Sequence, residues 1–168
     1  SIILRPSLVF GKNDNFFNKF ASLAQILPVL PLIGSGTTKF EPIWVEDVAT
    51  AIIKVLEKED VKEKIYELGG PEVFSFRELI EILLKHIKKK RILLPISWKI
   101  AKYQAKFFEY FTKKLLTEDQ VTLLKEGDNI ITGKYPGLKD LDINGMTIEK
   151  ILPDYIFRFR QSGQFNKD

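Results

Sequence analysis

The stretch from Gly34 to Val48, GSGTTKFEPIWVEDV, constrains the fold more than any other part of this chain, because the hydrophobic period changes inside it. Gly34 and Gly36 bracket Ser35 and, lacking Cβ atoms, allow the backbone to reverse or to approach a neighbour closely. Phe40, Ile43 and Val45 then stand among polar and turn-forming residues, whereas Val48, Ala49, Ile52, Val55 and Leu56 recur at the spacing of one helix face. A strand-like segment therefore feeds a helix. Glu46 and Asp47 fall at its start, where free backbone amides and the macrodipole favour carboxylates, and they are read as capping and local hydrogen-bonding groups rather than catalytic ones.

The same alternation runs through the first half of the chain. Ile2 to Leu4 and Leu8 to Phe10 are apolar runs of the kind covered on both faces of a sheet, interrupted by Arg5 and Pro6. Pro6 cannot donate to a ladder, so the strand ends or reaches an edge there, and Ser7 to Gly11 form the loop beyond its carboxyl end, where open α/β sheets present ligand-contacting groups. Asn13, Asp14 and Asn15 are candidate caps for a helix carrying Phe16, Phe17, Phe20, Leu23, Ala24 and Leu27, closed by Pro28 and Pro31. Ile65 to Leu68 is a short strand ended by Gly69, Gly70 and Pro71, parallel to the strand near Ile2. Ser75 to Glu78 is a capping-box pattern opening a helix with Phe76, Leu79, Ile80, Leu83, Leu84 and Ile87 on one face.

The second half reads as helix and loop. Ile92 to Leu94 is a short extended run before Pro95. Between Trp98 and Lys114, Lys99, Lys102, Lys106 and Lys113 form a basic stripe beside Phe107, Phe108, Tyr110 and Phe111, a pattern suited to burial against protein or to an anionic membrane surface. Thr117 to Gln120 starts another helix, which Gly127 to Asn129 ends, and the segment with Ile148, Ile151 and Leu152 is expected to stop before Pro153.

Composition excludes several chemistries. The 168 residues contain no cysteine, which removes disulfides, thiolate catalysis and cysteine-ligated metals. His86, the one histidine, sits near the basic end of its helix with no acid or nucleophile beside it, so it is read as a surface or dipole-compensating group. No catalytic residue and no metal ligand is assigned within the chain. The net charge of +4 is concentrated around Lys85, Lys88, Lys89, Lys90 and Arg91, yet no recognition module accompanies these side chains and nucleic acid is disfavoured as a partner. No run reaches the roughly 18 apolar residues of a spanning helix, and Ser1 enters a strand directly, as in the C-terminal part of a longer protein.

Three landmarks in order, RPSLVFG at Arg5 to Gly11, FEPIWVEDVA at Phe40 to Ala49 and YELGGP at Tyr66 to Pro71, resemble the extended short-chain dehydrogenase/reductase superfamily, the NAD-dependent epimerase/dehydratase group. FSFRELIEILLK, the basic patch before Leu93-Leu94-Pro95, LTEDQVTLLKEGDNI, Asn15 to Asn18 and Leu30 to Gly34 resemble its atypical branch around the alpha subcomplex 9 NAD(P)H-binding subunit of respiratory complex I. The likeness spans about residues 1 to 155. It implies an α/β chain: the C-terminal part of an NAD(P)-binding Rossmann-like fold with a small, mainly helical lobe. Residues 1–72 would end the dinucleotide-fold sheet with interleaved lobe segments, 73–155 would form the helical lobe, and 156–168 a flexible tail.

The resemblance also implies what lies elsewhere. The glycine-rich loop and the tyrosine–lysine catalytic pair of the superfamily would precede Ser1, which leaves enzymatic activity of the whole protein open. NADP(H) or NAD(H) is therefore the cofactor only with the N-terminal dinucleotide-binding half as partner, and Pro6, Ser7, Leu8 and Val9 would supply backbone or apolar contacts at the nicotinamide end. Lys39 and Phe40 stand where sugar-nucleotide epimerases place a phosphate-binding arginine, which speaks against a nucleotide-sugar substrate. The implied role is auxiliary, structural or regulatory, within complex I or quinone-related chemistry; the alternative is an epimerase, dehydratase or reductase. Complex I subunits or an anionic membrane surface are the implied further partners. The implied location is peripheral, on the cytoplasmic side of a bacterial inner membrane, with the mitochondrial matrix side or the soluble cytoplasm as alternatives.

Overall fold

The computed structural model describes residues 2–57, 65–96 and 127–160. The elements are β1 Ile3–Pro6, β2 Val9–Phe10, α1 Phe17–Ile26, β3 Val29–Ile33, β4 Lys39–Phe40, β5 Ile43–Trp44, α2 Val45–Glu57, β6 Ile65–Leu68, β7 Phe74–Ser75, α3 Phe76–His86, β8 Ile92–Ile96 and α4 Ile148–Ile156. Short 3-10 turns lie at Gly34–Gly36, Lys139–Leu141 and Phe157–Phe159. The expected lobes were cut along the sequence at residue 72. In space, Ser1–Asp14, Phe40–Phe74 and Asn129–Tyr155 make up one compact unit, and Asn15–Lys39, Ser75–Asp128 and Ile156–Asp168 a second.

In the first unit, β1 pairs with β6 in parallel, Ile3 opposite Ile65 through Pro6 opposite Leu68, and β2 pairs in parallel with β5. Ile43, Ala51, Val55, Tyr66, Leu68, Leu138, Leu141 and Ile143 form the buried cluster, with Leu4, Val9 and Val48 packed against it. Each fully buried aliphatic side chain of this kind contributes about 1.5–3 kcal/mol. α2 forms where the apolar period placed a helix, but its inward face differs: of Val48, Ala49, Ile52, Val55 and Leu56 only Val55 is buried, Ile52 and Leu56 being 41% and 73% exposed, and the buried positions are Asp47, Ala51 and Val55. Nor does Asp47 act as a cap. Its buried carboxylate accepts from the Met146 amide at 2.8 Å, which ties the helix to a segment far along the chain. β1 also departs from expectation, since Ile3 is 46% exposed where cover on both faces was predicted. An apolar run reports the tolerance of both faces for burial, not the presence of a covering layer.

In the second unit, α1 packs on α3 and on β3, and Phe16, Phe17, Phe20 and Phe76 meet edge to face or tilted, with centroids 5.1–5.9 Å apart. α3 opens with the foreseen capping box: Ser75 Oγ accepts from the Glu78 amide at 3.2 Å and the Glu78 carboxylate accepts from the Ser75 amide at 2.6 Å. Its stripe of Phe76, Leu79, Ile80, Leu83, Leu84 and Ile87 is buried throughout, and His86 is half-buried in its last turn. α1 starts without a side-chain cap, because the Asp14 carboxylate is taken by the Gly11 amide at 3.4 Å and the Tyr155 hydroxyl at 2.6 Å.

Three boundaries shift from expectation. Pro28 and Pro31 do not merely close α1: Val29–Ile33 is a strand, paired in parallel with β8. Both strands of a two-stranded sheet are edges, the one place where proline is tolerated. α4 continues through Pro153 to Ile156, because Ile148, Leu152, Tyr155 and Ile156 are buried on one face and that burial offsets one missing amide. Ile156 to Phe159, expected to open a flexible tail, carry regular structure instead: Ile156 is fully buried and Phe157–Phe159 forms a 3-10 turn. The helices expected at 98–114 and from Thr117 lie outside the described residues.

Candidate functional site

Because β1 and β6 are parallel, their carboxyl ends fall together, and this is the end at which open α/β sheets gather ligand-contacting groups. β1 ends at Pro6, which is still in register with Leu68, and the chain continues into Ser7. The Ser7 amide donates to the Leu68 carbonyl at 2.9 Å, its hydroxyl donates to the Asn129 carbonyl, and the same oxygen accepts from the Glu41 amide at 3.2 Å. One buried hydroxyl thus joins β1, the segment before β5 and the segment at 129. Leu8 follows, its carbonyl accepting from Ile43 at 2.9 Å, and Val9 pairs with Ile43.

Residues 129–137 run across these strand ends as a strap held by two carboxylates. Glu41 Oε2 accepts from the Ile131 amide at 2.9 Å. Glu67, buried in β6, accepts from the Thr132 amide at 2.8 Å and from its hydroxyl at 2.8 and 3.0 Å, while its own amide donates to the Pro136 carbonyl at 3.0 Å. Buried carboxylates are retained when donors fill their lone pairs in this way. Gly69 and Gly70 make room: a Cβ on Gly69 would lie 2.5 Å from the Glu41 carboxyl carbon, and one on Gly70 would lie 1.8 Å from the Pro42 carbonyl oxygen. The sequence glycines at the end of β6 therefore serve close backbone approach.

Between strap and strands is a depression of about 160 Å³, lined by Arg5, Pro6, Ser7 and Glu67 on one side and by residues 129–131 on the other. The Arg5 guanidinium stands 5.6 Å from the centroid of the Tyr135 ring, a cation–π contact at its edge. Ser7 donates to a backbone carbonyl and not to a base, so its hydroxyl is not set up as a nucleophile. The chemistry on offer is positioning and polar contact. Ligand pockets of drug size occupy about 300–1,000 Å³, so this depression alone is too small to enclose a ligand of that size. Gly34, Ser35 and Gly36 do not supply a phosphate cradle: their φ values of 58°, 63° and 74° form a left-handed turn leading to β4, and Gly36 packs against Arg77 and Leu32. Among the described residues, no cluster of three or more His, Cys, Asp or Glu side chains could hold a metal ion.

Of the four residues expected at the cofactor, Pro6 and Ser7 line the depression, while Leu8 and Val9 are half-buried beyond it. Arg5, Glu67 and the 129–131 segment were not foreseen. Glu67 had a legible signal, a charged residue inside the apolar run Ile65–Leu68 just before two glycines. The strap had none, because its hydrogen-bond partners at Ser7, Glu41 and Glu67 lie 65 or more positions away in sequence.

Residues 1–69 match the NAD dependent epimerase/dehydratase family. The chain is 30% identical over 96% of its length to NADH dehydrogenase (ubiquinone) 1 alpha subcomplex subunit 9, mitochondrial, of Arabidopsis thaliana, covering 42% of that protein. It is 26% identical over 98% of its length to the protein of the same name in Dictyostelium discoideum, covering 46% of it. The chain thus spans somewhat under half of these relatives. A dTDP-glucose 4,6-dehydratase from Streptomyces venezuelae, solved with NAD bound, superposes with a TM-score of 0.62 at 18% identity, over 94% of this chain and 42% of that one. The fold is that of NAD-binding Rossmann-like epimerase/dehydratase proteins, and the likeness to the complex I branch read from the motifs is carried by these relatives.

Proposed function

We propose that this chain, a C-terminal portion of the extended short-chain dehydrogenase/reductase fold, belongs to an NAD(P)H-binding auxiliary protein of respiratory complex I with a structural or regulatory role. The observation that supports this most is likeness to the complex I subunit along nearly the whole chain, at 30% identity. The portion of such relatives that this chain does not span would supply the glycine-rich loop, and the strand ends at Pro6 and Ser7 would contact the nicotinamide end of NADP(H) or NAD(H) through apolar surface and backbone. The cofactor would supply hydride chemistry; this chain's residues orient and shield it. We place the protein peripherally at the inner membrane, on the cytoplasmic side in a bacterium or the matrix side in a mitochondrion. No helix among the described residues is long and apolar enough to cross a membrane.

The test is equilibrium binding of NADPH and NADH to the full-length protein, together with co-purification of complex I subunits. Retention at physiological cofactor concentration with assembly supports the proposal; absence of both ends it. The family match over residues 1–69 favours a second reading, an epimerase, dehydratase or reductase. An intact upstream tyrosine–lysine pair and turnover of a sugar or small carbonyl substrate would select it.

A further inference from the structure

The sheet formed by β3 and β8 is apolar on both faces. Val29 stands opposite Ile92, Leu30 opposite Leu93, Pro31 opposite Leu94 and Leu32 opposite Pro95. Leu30 and Leu32 are fully buried, whereas on the alternate positions Ile92 is 66% exposed and Leu94 51%. Ile26, which ends α1 two residues before β3 enters through Pro28, is 81% exposed. Parallel strands with aliphatic side chains on both faces are ordinarily covered on both.

Charge marks what covers this one. The strands being parallel, both begin at the same end, and there the chain enters β8 through Lys88, Lys89, Lys90 and Arg91. Arg91 Nε donates to the Ala24 carbonyl at 2.9 Å and the Ile92 amide to the Pro28 carbonyl at 3.1 Å, fixing the basic run beside the end of α1. The last turn of α3 adds Lys85, and Arg160 reaches the His86 carbonyl at 2.8 Å. No aspartate or glutamate occurs from residue 15 to 40 or from 82 to 96, so the described segments that form this edge carry basic side chains and no acid. The acids of α3, Glu78 and Glu81, lie in its earlier turns.

We infer that this face, with Ile92 and Leu94 exposed on it and Lys88 to Arg91 at its edge, docks on the surface of an anionic lipid bilayer. Aliphatic points enter the headgroup boundary while lysine stems lie along it and bring their ammonium groups to lipid phosphates. A second copy is a poor occupant, because a two-fold contact would set basic rim against basic rim. A protein partner fits less well: interface cores favour aromatics and arginine and are depleted in lysine, whereas here the points are aliphatic and three of the four rim residues are lysine. The cellular meaning rests on the peripheral placement proposed above. The chemistry rests on this chain alone and is read without cofactor, so the two can fail separately.

The experiment is co-sedimentation of the whole chain with phosphatidylcholine vesicles, with and without phosphatidylglycerol, at low and high salt. Binding should appear with the anionic vesicles and fall with salt; K88E/K89E/K90E should reduce it by about tenfold or more. I92S/L94S should remove the part that survives high salt, with the melting temperature little changed. K88Q/K90Q, both at exposed positions, keeps the test readable if the triple reversal unfolds. Equal recovery with neutral and anionic vesicles overturns the inference, as does undiminished binding by the folded lysine variants. A large fall in melting temperature of I92S/L94S with vesicle binding intact would assign the face to the chain's own core. Lysine-dependent capture of complex I subunits without vesicle binding would assign it to a protein.

Discussion

The pairs β1–β6 and β3–β8 share a backbone plan and end in opposite chemistries. Both are parallel, and both join strands far apart in sequence. At the carboxyl end of β1–β6 stand Arg5, Ser7 and Glu67, of which Ser7 and Glu67 are hydrogen-bonded to the strap at 129–137. The strands VLPLI and ILLPI of the second pair contain no polar side chain, and each carries a proline. Parallel pairing therefore sets where strand ends fall, while the side chains there decide whether the end becomes a polar edge or an apolar face. A ligand edge needs groups whose hydrogen bonds are arranged in advance; a docking face needs only area and a charged border.

The largest expected effect separates the two pairs through backbone approach. In Gly70→Ala the new Cβ would lie 1.8 Å from the Pro42 carbonyl oxygen, and backbone must move to relieve it. A loss of about 3 kcal/mol or more is expected in urea unfolding, toward the severe end for overpacking. Hydrogen exchange should show amides of β1 and β6 losing protection before those of α3. A cost below about 1 kcal/mol would mean that this approach relaxes freely and that the strap's seat is not rigid. Next in size is Glu67→Ala, which leaves the Thr132 amide and hydroxyl without their acceptor. About 2 kcal/mol is expected from the loss of hydrogen bonds to a charged acceptor, with faster exchange at the Thr132 amide; Glu67→Gln, retaining an acceptor oxygen, should cost less. Equal costs for the two variants would show that charge and not hydrogen bonding holds the strap.

Much of this arrangement was legible in the residues, and what was hidden has a common cause. α2, α3 and the parallel pairing of the strands near Ile2 and Ile65 follow from hydrophobic period and turn chemistry, which are local signals. The Ser75–Glu78 box was readable because both partners lie within one turn. β3 was hidden because Pro28 and Pro31 read as breakers, although an edge strand tolerates them. α4 passed Pro153 because burial of its apolar face outweighs a local preference. Pro6 and Ser7, which line the depression, were expected at a strand end and from family likeness, whereas Glu67, Glu41 and Asn129 act through contacts that no spacing encodes. Asp47 illustrates the same limit: its position at a helix start suggested a cap, and its partner is the Met146 amide.

The smallest effect concerns the second unit alone and comes with a pH signature. The Glu78 carboxylate accepts from the Ser75 amide at 2.6 Å and the Ser75 hydroxyl at 2.8 Å, and these bonds, the backbone one first, hold it below the usual carboxylate range. A carboxyl whose folded-state pKa is depressed adds stability that is present above its unfolded pKa and lost as pH falls through the folded one. Ser75→Ala should cost about 1 kcal/mol at neutral pH by removing the cap. That cost should shrink on acidification, as protonation of Glu78 weakens in the parent chain the hydroxyl–carboxylate bond that the variant already lacks, but not vanish, since the Ser75 hydroxyl still accepts from the Glu78 amide. Glu78→Gln, which can still close a capping box, should keep most of the neutral-pH stability and lose this part of the acid dependence. Urea midpoints of the three proteins from neutral to acid pH measure all of this. A parent-to-Ser75→Ala difference that stays constant across the acid range would mean that the hydroxyl, and not the carboxylate, carries the box.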